Sequence, residues 1–166
     1  WRDVKVYGQE INAGTSAIAR MNLYLHGIHD FSIVNDDTLE RPAFIKNGRV
    51  QQFNVVLANP PYSIKNWNRE AFEHDRYGRN FLGTPPQDCA DYAFIQHILA
   101  SLDEDNGRCA ILLPHGVLFR SFEKPMREEL IKSDLIESII GIGPNLFYNS
   151  PMEACILICN KRKPNL

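Results

Sequence analysis

No stretch of this 166-residue chain approaches the roughly 20 consecutive apolar residues needed to cross a bilayer as a helix. The opening residues Trp1-Arg2-Asp3 also lack the apolar core of a secretion signal, so the expected location is the cytosol. No C-x-x-C pair occurs. Cys89, Cys109, Cys155 and Cys159 fall at irregular spacings, three of them in apolar strand-like runs, and buried free thiols are expected in place of disulfides or a zinc site. His26 and His29 sit at an expected helix end and are not read as a ligand pair, so no metal is expected. Neither sign of charge dominates: 18 Lys and Arg against 20 Asp and Glu give a net charge of −2. The chain lacks the global basic footprint of a stand-alone nucleic-acid binder, so any such affinity must be local or supplied by a partner. Internal repeats and low-complexity tracts are absent as well.

What is present suits one ordinary globular domain over residues 1–166, with 44% hydrophobic and 23% charged residues. The chain opens on Trp1 without an initiator methionine and enters a strand-like run almost at once, so an N-terminally incomplete fragment is expected. Val4 to Gly8 reads as a strand, and Ala13 to Leu25 as a helix with Ala17, Ile18, Met21 and Leu25 at helical spacing. Strands follow at Phe31 to Val34 and Phe53 to Ala58, the latter after a polar lead-in from Arg49 to Gln52. Ser63 to Asp88 loses periodicity and reads as a long loop with a short helical turn near Glu70 to His74, of the kind usually functional or mobile. Asp91 to Leu102 resumes helical spacing, with Tyr92, Ile95, Ile98 and Leu99 as its buried stripe. Beyond it come a strand at Arg108 to Leu113, a helix at Glu123 to Lys132, and strands at Leu135 to Ile140 and Ala154 to Cys159, before Lys161-Arg162-Lys163. Alternating strands and helices, with near-continuous apolar strands, predict an α/β, doubly wound, mostly parallel sheet. The last two strands have no helix between them, and the final one is expected to be antiparallel.

In such sheets ligands bind outside the carboxyl ends of the strands, where Glu10, Asp36-Asp37 and Asn59 stand here. The segment Asn59-Pro60-Pro61-Tyr62 is the most informative. Two prolines remove two backbone donors and leave the carbonyls of Asn59 and Pro60 free to accept. The Asn59 amide oxygen and the Pro60 carbonyl can each take one hydrogen of an NH2 group, while Tyr62 offers a face on which a flat ring stacks. Such a site would recognise a planar amino-heterocycle or amide, and two acceptors on the hydrogens of its NH2 group would favour a nucleophilic nitrogen, with positioning and electrostatics supplying the catalysis. The same tetrapeptide could also be a strand terminator opening a turn.

The N-P-P-[YF] pattern closing a strand resembles the catalytic motif of amino-methyltransferases. The runs Tyr7 to Asn12, Ala19 to Ile28, Ala90 to Leu99, Leu113 to Arg120 and Asn145 to Tyr148 narrow the likeness. Over nearly the whole chain they resemble the modification subunit of type I restriction-modification systems, DNA adenine-N6 methyltransferases. That resemblance implies a class I S-adenosylmethionine-dependent methyltransferase fold, methylation of adenine N6, and catalysis by Asn59, Pro60, Pro61 and Tyr62. It implies that Glu10 binds the cofactor's ribose hydroxyls and that Asp37, with Asp36 as an adjacent competitor, accepts from the cofactor's adenine amine. Phe147 would join Tyr62 in sandwiching the extruded target base, extrusion being required because a stacked, paired adenine is out of reach. The implied partners are double-stranded DNA, a specificity subunit that reads it, and a motor-nuclease restriction subunit. No role is assigned to His115.

One feature of the family is not found: a glycine-rich G-x-G loop after the first strand. Gly8 and Gly141-Ile142-Gly143 do not fit it, because no helix is expected to begin after them in the required order. The family places that loop just upstream of the run holding Glu10, so the first strand and its loop are expected to precede Trp1. Two alternatives stand beside the main reading. One is a glutamine-N5 methyltransferase acting on proteins, whose amide NH2 poses the same hydrogen-bonding problem; the other is an inactive fragment that does not bind cofactor.

Overall fold

The computed structural model describes residues 4–147 and 151–162. Trp1 to Asp3, Tyr148 and Lys163 lie outside the described residues. The chain divides into two compact units, residues 1–45 and 46–166.

The first unit is a strand, a helix and a strand. β1 (Val6–Gln9) pairs in parallel with β2 (Phe31–Val34), Gly8 opposite Ile33, and α1 (Ala13–Leu25) connects them. Asn12 starts α1 by accepting the Thr15 N–H on its side chain at 3.0 Å. Gly27, at φ +72°, ends it in the left-handed region. The helix has the expected bounds, but its apolar spacing lies on the open side. Ile18, Met21 and Leu25 are exposed, whereas Ser16 is buried and Arg20 reaches the Ile33 carbonyl at 3.0 Å.

At the junction a two-residue turn, Asn47 at φ +53° and Gly48 at φ +77°, joins β3 (Ile45–Lys46) to β4 (Arg49–Val50). Both central residues of such a tight hairpin turn need positive φ, which Asn-Gly tolerates best. The polar lead-in expected from Arg49 to Gln52 is in its first half a strand.

The second unit carries a four-stranded sheet in the order β5-β6-β8-β7. Its strands are β5 (Val55–Ala58), β6 (Arg108–Pro114), β7 (Ile136–Ile142) and β8 (Ala154–Asn160). β5 and β6 are parallel, and β8 runs antiparallel between β6 and β7, so the expected reversed final strand is present. Phe53, expected within the third strand, lies before β5 in an isolated bridge to Leu102. Of the remaining helices, α2 spans Arg69–Glu73, α3 Asp91–Ala100 and α4 Lys124–Lys132.

The core lies on one face of this sheet. Tyr92, Ile95 and Leu99 of α3 and Met126 and Leu130 of α4 cover Cys109, Ile111 and Leu113 of β6 and Cys155, Leu157 and Cys159 of β8. Each large apolar side chain buried here contributes about 1.5–3 kcal/mol. All four cysteines are free and buried, as the spacing predicts. On the opposite face the alternate residues stay open, Leu57 being 78% exposed.

The segment from Ser63 to Asp88 is packed rather than loose. Trp67, Phe72, Arg79 and Leu82 are buried. Asp75 and Arg79 form an ion pair of 2.7 Å with both side chains almost wholly out of water. The segment is tied to α3 by polar contacts. Gln96 accepts the Leu82 N–H at 2.6 Å and donates to the Gly83 carbonyl at 2.9 Å, and Arg79 Nη1 lies 3.4 Å from His97 Nδ1.

Removing one member of a buried ion pair strands the other charge, so Asp75→Ala is expected to cost about 3–5 kcal/mol. Urea unfolding followed by tryptophan fluorescence measures it; a loss below about 1 kcal/mol, the scale of an exposed pair, would show that the segment does not depend on the pair. A second expectation concerns acid. Burial, and then the Arg79 cation, push the His97 imidazole down to about 3. Below its ordinary value near 6.5 the unfolded chain takes up a proton that the native one does not, so His97 removes stability as pH falls from there toward 3. The slope attributable to it is at most about 1.4 kcal/mol per pH unit, and His97→Gln should flatten the fall in unfolding midpoint between pH 6 and 4.

Candidate active site

The carboxyl ends of the strands carry the polar residues in both units. In the first, β1 and β2 end side by side. Asn35 Nδ2 donates to the carbonyls of Glu10 and Ile11 at 2.7 and 2.8 Å, holding the two ends together. Glu10 is half-buried and its Oε1 accepts the Asn12 N–H at 2.7 Å. Asp37 Oδ1 accepts from the backbone of Leu39 and Glu40 at 2.8 and 3.1 Å, so this carboxylate caps the following turn. In each case one carboxylate oxygen is used locally and the second can accept from a ligand. Asp36, the adjacent competitor, is taken up by Arg41 at 2.6 Å, and that contact holds its carboxyl below the ordinary range. These carboxylates at the ends of neighbouring parallel strands suit the hydroxyls and exocyclic amine of an adenosine.

In the second unit, Asn59 follows β5 directly and is exposed. Among the described residues its side-chain amide has no hydrogen-bond partner. Pro60 is half-buried and Pro61 exposed, and neither has an N–H to offer. Tyr62, half-buried, shares a turn with Ser63, whose φ is +50°. Burial first, and then the neighbouring Cys155 and Asp91, raise the Tyr62 pKa. The residue is therefore a neutral phenol at physiological pH, with a ring to stack and no basic oxygen.

Asn59 and Phe147 line one open cavity of about 560 Å³ on the uncovered face of the sheet, with Leu57, Leu112, Ile142 and Ile156 forming its apolar wall. Phe147 is half-buried at the end of the segment after β7, where Asn145 turns at φ +63°. Tyr62 is not among the residues lining this cavity. The structure thus joins Asn59 to Phe147 in one space, and Glu10 to the Asp36-Asp37 segment at one pair of strand ends. His115 pairs with Glu153 at 3.3 Å and meets Phe119 edge-on, contacts that suggest no chemical role. Neither Gly141 nor Gly143 is followed by a helix among the described residues.

Sequence reasoning passed over Ser63, Asp91 and Arg120, which form a half-buried polar group against the turn of Tyr62. Asp91 and Arg120 both lie in the runs that carry the family likeness, and that was the available signal.

Comparisons with known proteins bear on this arrangement. A family model described as N-6 DNA methylase matches residues 1–165. The chain is 34% identical over 164 residues to the type I restriction enzyme HindI methylase subunit of Haemophilus influenzae, covering 97% of this chain and 35% of that protein. It is also 34% identical over 171 residues to the MjaVII methylase subunit of Methanocaldococcus jannaschii, covering 98% and 28%. The crystal structure of a type I restriction-modification methyltransferase subunit from Streptococcus thermophilus superposes with a TM-score of 0.89 at 37% identity, over 99% of this chain and 35% of that one. A Listeria monocytogenes protein described as a class I S-adenosylmethionine-dependent methyltransferase shares the fold, with a TM-score of 0.72 at 19% identity over 99% of this chain and 46% of that one. The chain spans about a third of the length of these curated relatives. From the extent of these matches and the agreement of fold, the chain belongs to the N-6 DNA methylase family and is similar to the methylase subunits of type I restriction enzymes.

Proposed function

We propose that this chain serves in the catalytic domain of a DNA adenine-N6 methyltransferase, the modification subunit of a type I restriction-modification system. The observation that carries the reading is the unpartnered amide of Asn59, exposed at the carboxyl end of β5 and opening on the cavity shared with Phe147.

The Asn59 amide oxygen and the Pro60 carbonyl accept the two hydrogens of the adenine amine. The missing N–H groups of Pro60 and Pro61 keep competing donors away from that nitrogen. Drawing both hydrogens toward acceptors localises the nitrogen lone pair, which in the free base is delocalised into the ring. Acceptors already in place stabilise the charge that develops on the amine during transfer. Phe147 supplies an aromatic surface for the extruded base, and Tyr62, neutral, stacks against it from the motif. Glu10 and Asp37 fit an adenosine and would hold that part of S-adenosylmethionine. The bound cofactor supplies an electrophilic sulfonium methyl.

The net charge of −2 agrees with DNA reading by a specificity subunit, with a motor-nuclease subunit completing the system. The relatives at 34% identity are methylase subunits of restriction enzymes, and the glutamine alternative finds no support among them.

Transfer of labelled methyl from S-adenosylmethionine, measured with the full-length enzyme and its specificity subunit, tests the reading. Label in DNA adenine is expected, and label confined to protein would overturn it. Asn59→Ala should lower turnover by at least about a hundredfold with cofactor affinity unchanged; near wild-type turnover would remove Asn59 from the mechanism. Tyr62→Ala should weaken handling of the base by about 1–3 kcal/mol and Tyr62→Phe much less, read from fluorescence of 2-aminopurine at the target position.

A further inference from the structure

Ser63, the residue after the motif, stands at φ +50°, a conformation that a serine adopts only when its surroundings hold it there. Asp91 does so with both oxygens. Oδ1 accepts the Ser63 N–H at 2.6 Å and Oδ2 accepts the Ser63 hydroxyl at 3.2 Å. Asp91 is buried in the first turn of α3. Arg120, in the segment between β6 and α4, completes the arrangement. Its Nη1 donates to Asp91 Oδ2 at 2.7 Å and its Nη2 to the Ser63 hydroxyl at 3.0 Å.

Cys89, Asp91 and Glu123 gather three metal-ligating types of side chain within 4.8 Å of one another. Arg120 Nη1 lies 3.1 Å from Cys89 Sγ and 3.4 Å from Glu123 Oε2 as well, so the guanidinium is the counter-charge of this cluster and fills the place a cation would take. Gly116 makes room for it: a Cβ there would collide with Arg120 Nε. One planar fork therefore joins three pieces of chain, namely the turn after β5, the start of α3 and the segment after β6. Lysine, a point charge without the fork, cannot span Asp91 and Ser63 in the same way.

We propose that Asp91 and Arg120 are positioning residues for methyl transfer, acting through Ser63 to hold the turn of Tyr62 and the acceptor carbonyls of Asn59 and Pro60 in their working orientation. This rests on reading Asn59 to Tyr62 as the methyl-acceptor site. Neither residue touches the substrate, and their effect is on the placement of those that do.

The test uses the full-length enzyme with its specificity subunit and three variants. Arg120→Lys keeps the buried charge but loses the fork, Gly116→Ala keeps every polar group but displaces the guanidinium, and Ser63→Ala removes the bridging hydroxyl. Each should lower kcat by about tenfold to a hundredfold, the scale of a small misplacement of reacting groups. KM for DNA and cofactor affinity should move little, with kcat expressed per folded enzyme. Hydrogen exchange of the peptide spanning residues 59–66 should speed up in Arg120→Lys and Gly116→Ala. Faster exchange with kcat within about twofold of wild type would reduce the cluster to a structural role and overturn the proposal, as would a kcat loss matched by an equal loss of folded protein. A wild-type enzyme that labels no DNA overturns the acceptor-site reading, whereas unchanged exchange in the variants overturns the clamp alone, so the two failures are told apart.

Discussion

Helix α3 buries seven of its ten residues, and the second unit is organised by what each of them does. Its apolar residues close the core over β6 and β8. Gln96 and His97 hold the segment between the motif and the helix, and Asp91 holds the turn that ends the motif. A single helix thus ties the turn after β5 and the segment that follows it to the core. The buried polar groups are affordable because nearly all are paired. Asp75 has Arg79, Asp91 has Arg120, and Glu123, its carboxyl pushed up by burial, is drawn back in part by the same arginine.

The two units use the same device at different strand ends. A parallel strand terminates, and the residue beyond it turns a polar group out of the sheet's hydrogen-bonding pattern. Glu10 and Asp37 spend one oxygen on local backbone and keep one, and Asn59 spends none. Acceptors dominate at these ends. The arrangement suits ligands rich in NH and OH groups, as adenosine and adenine are.

Local periodicity made much of the fold legible. The helix at Ala13–Leu25, the strand at Phe31–Val34 and the reversed β8 stand where the spacing puts them. The β3–β4 hairpin was missed although Asn47-Gly48 is a strong turn signal, because its strands are too short to show alternation. The interior of the 63–88 segment was not. Its order comes from Gln96 and His97, which meet residues 14 and 18 positions away through polar contacts that leave no periodic trace. Of the candidate site, Asn59 could be read from its place after an apolar strand, whereas Phe147 came only through family likeness and reaches the same cavity by way of β7. The Ser63, Asp91 and Arg120 contacts span 28 to 57 positions, and nothing in the chain order announces them.

The four buried thiols give the protein a built-in reporter. Cys89, pushed up to about 12 by burial, stays protonated beside the polar cluster, while Cys109, Cys155 and Cys159 line the strands of the core. An alkylating reagent added to the native protein must therefore wait for the structure to open, and the order in which the cysteines become labelled records which layer yields first. Early modification of Cys89 alone would mark loosening around the turn after the motif, and simultaneous modification of all four would mark cooperative loss of the sheet.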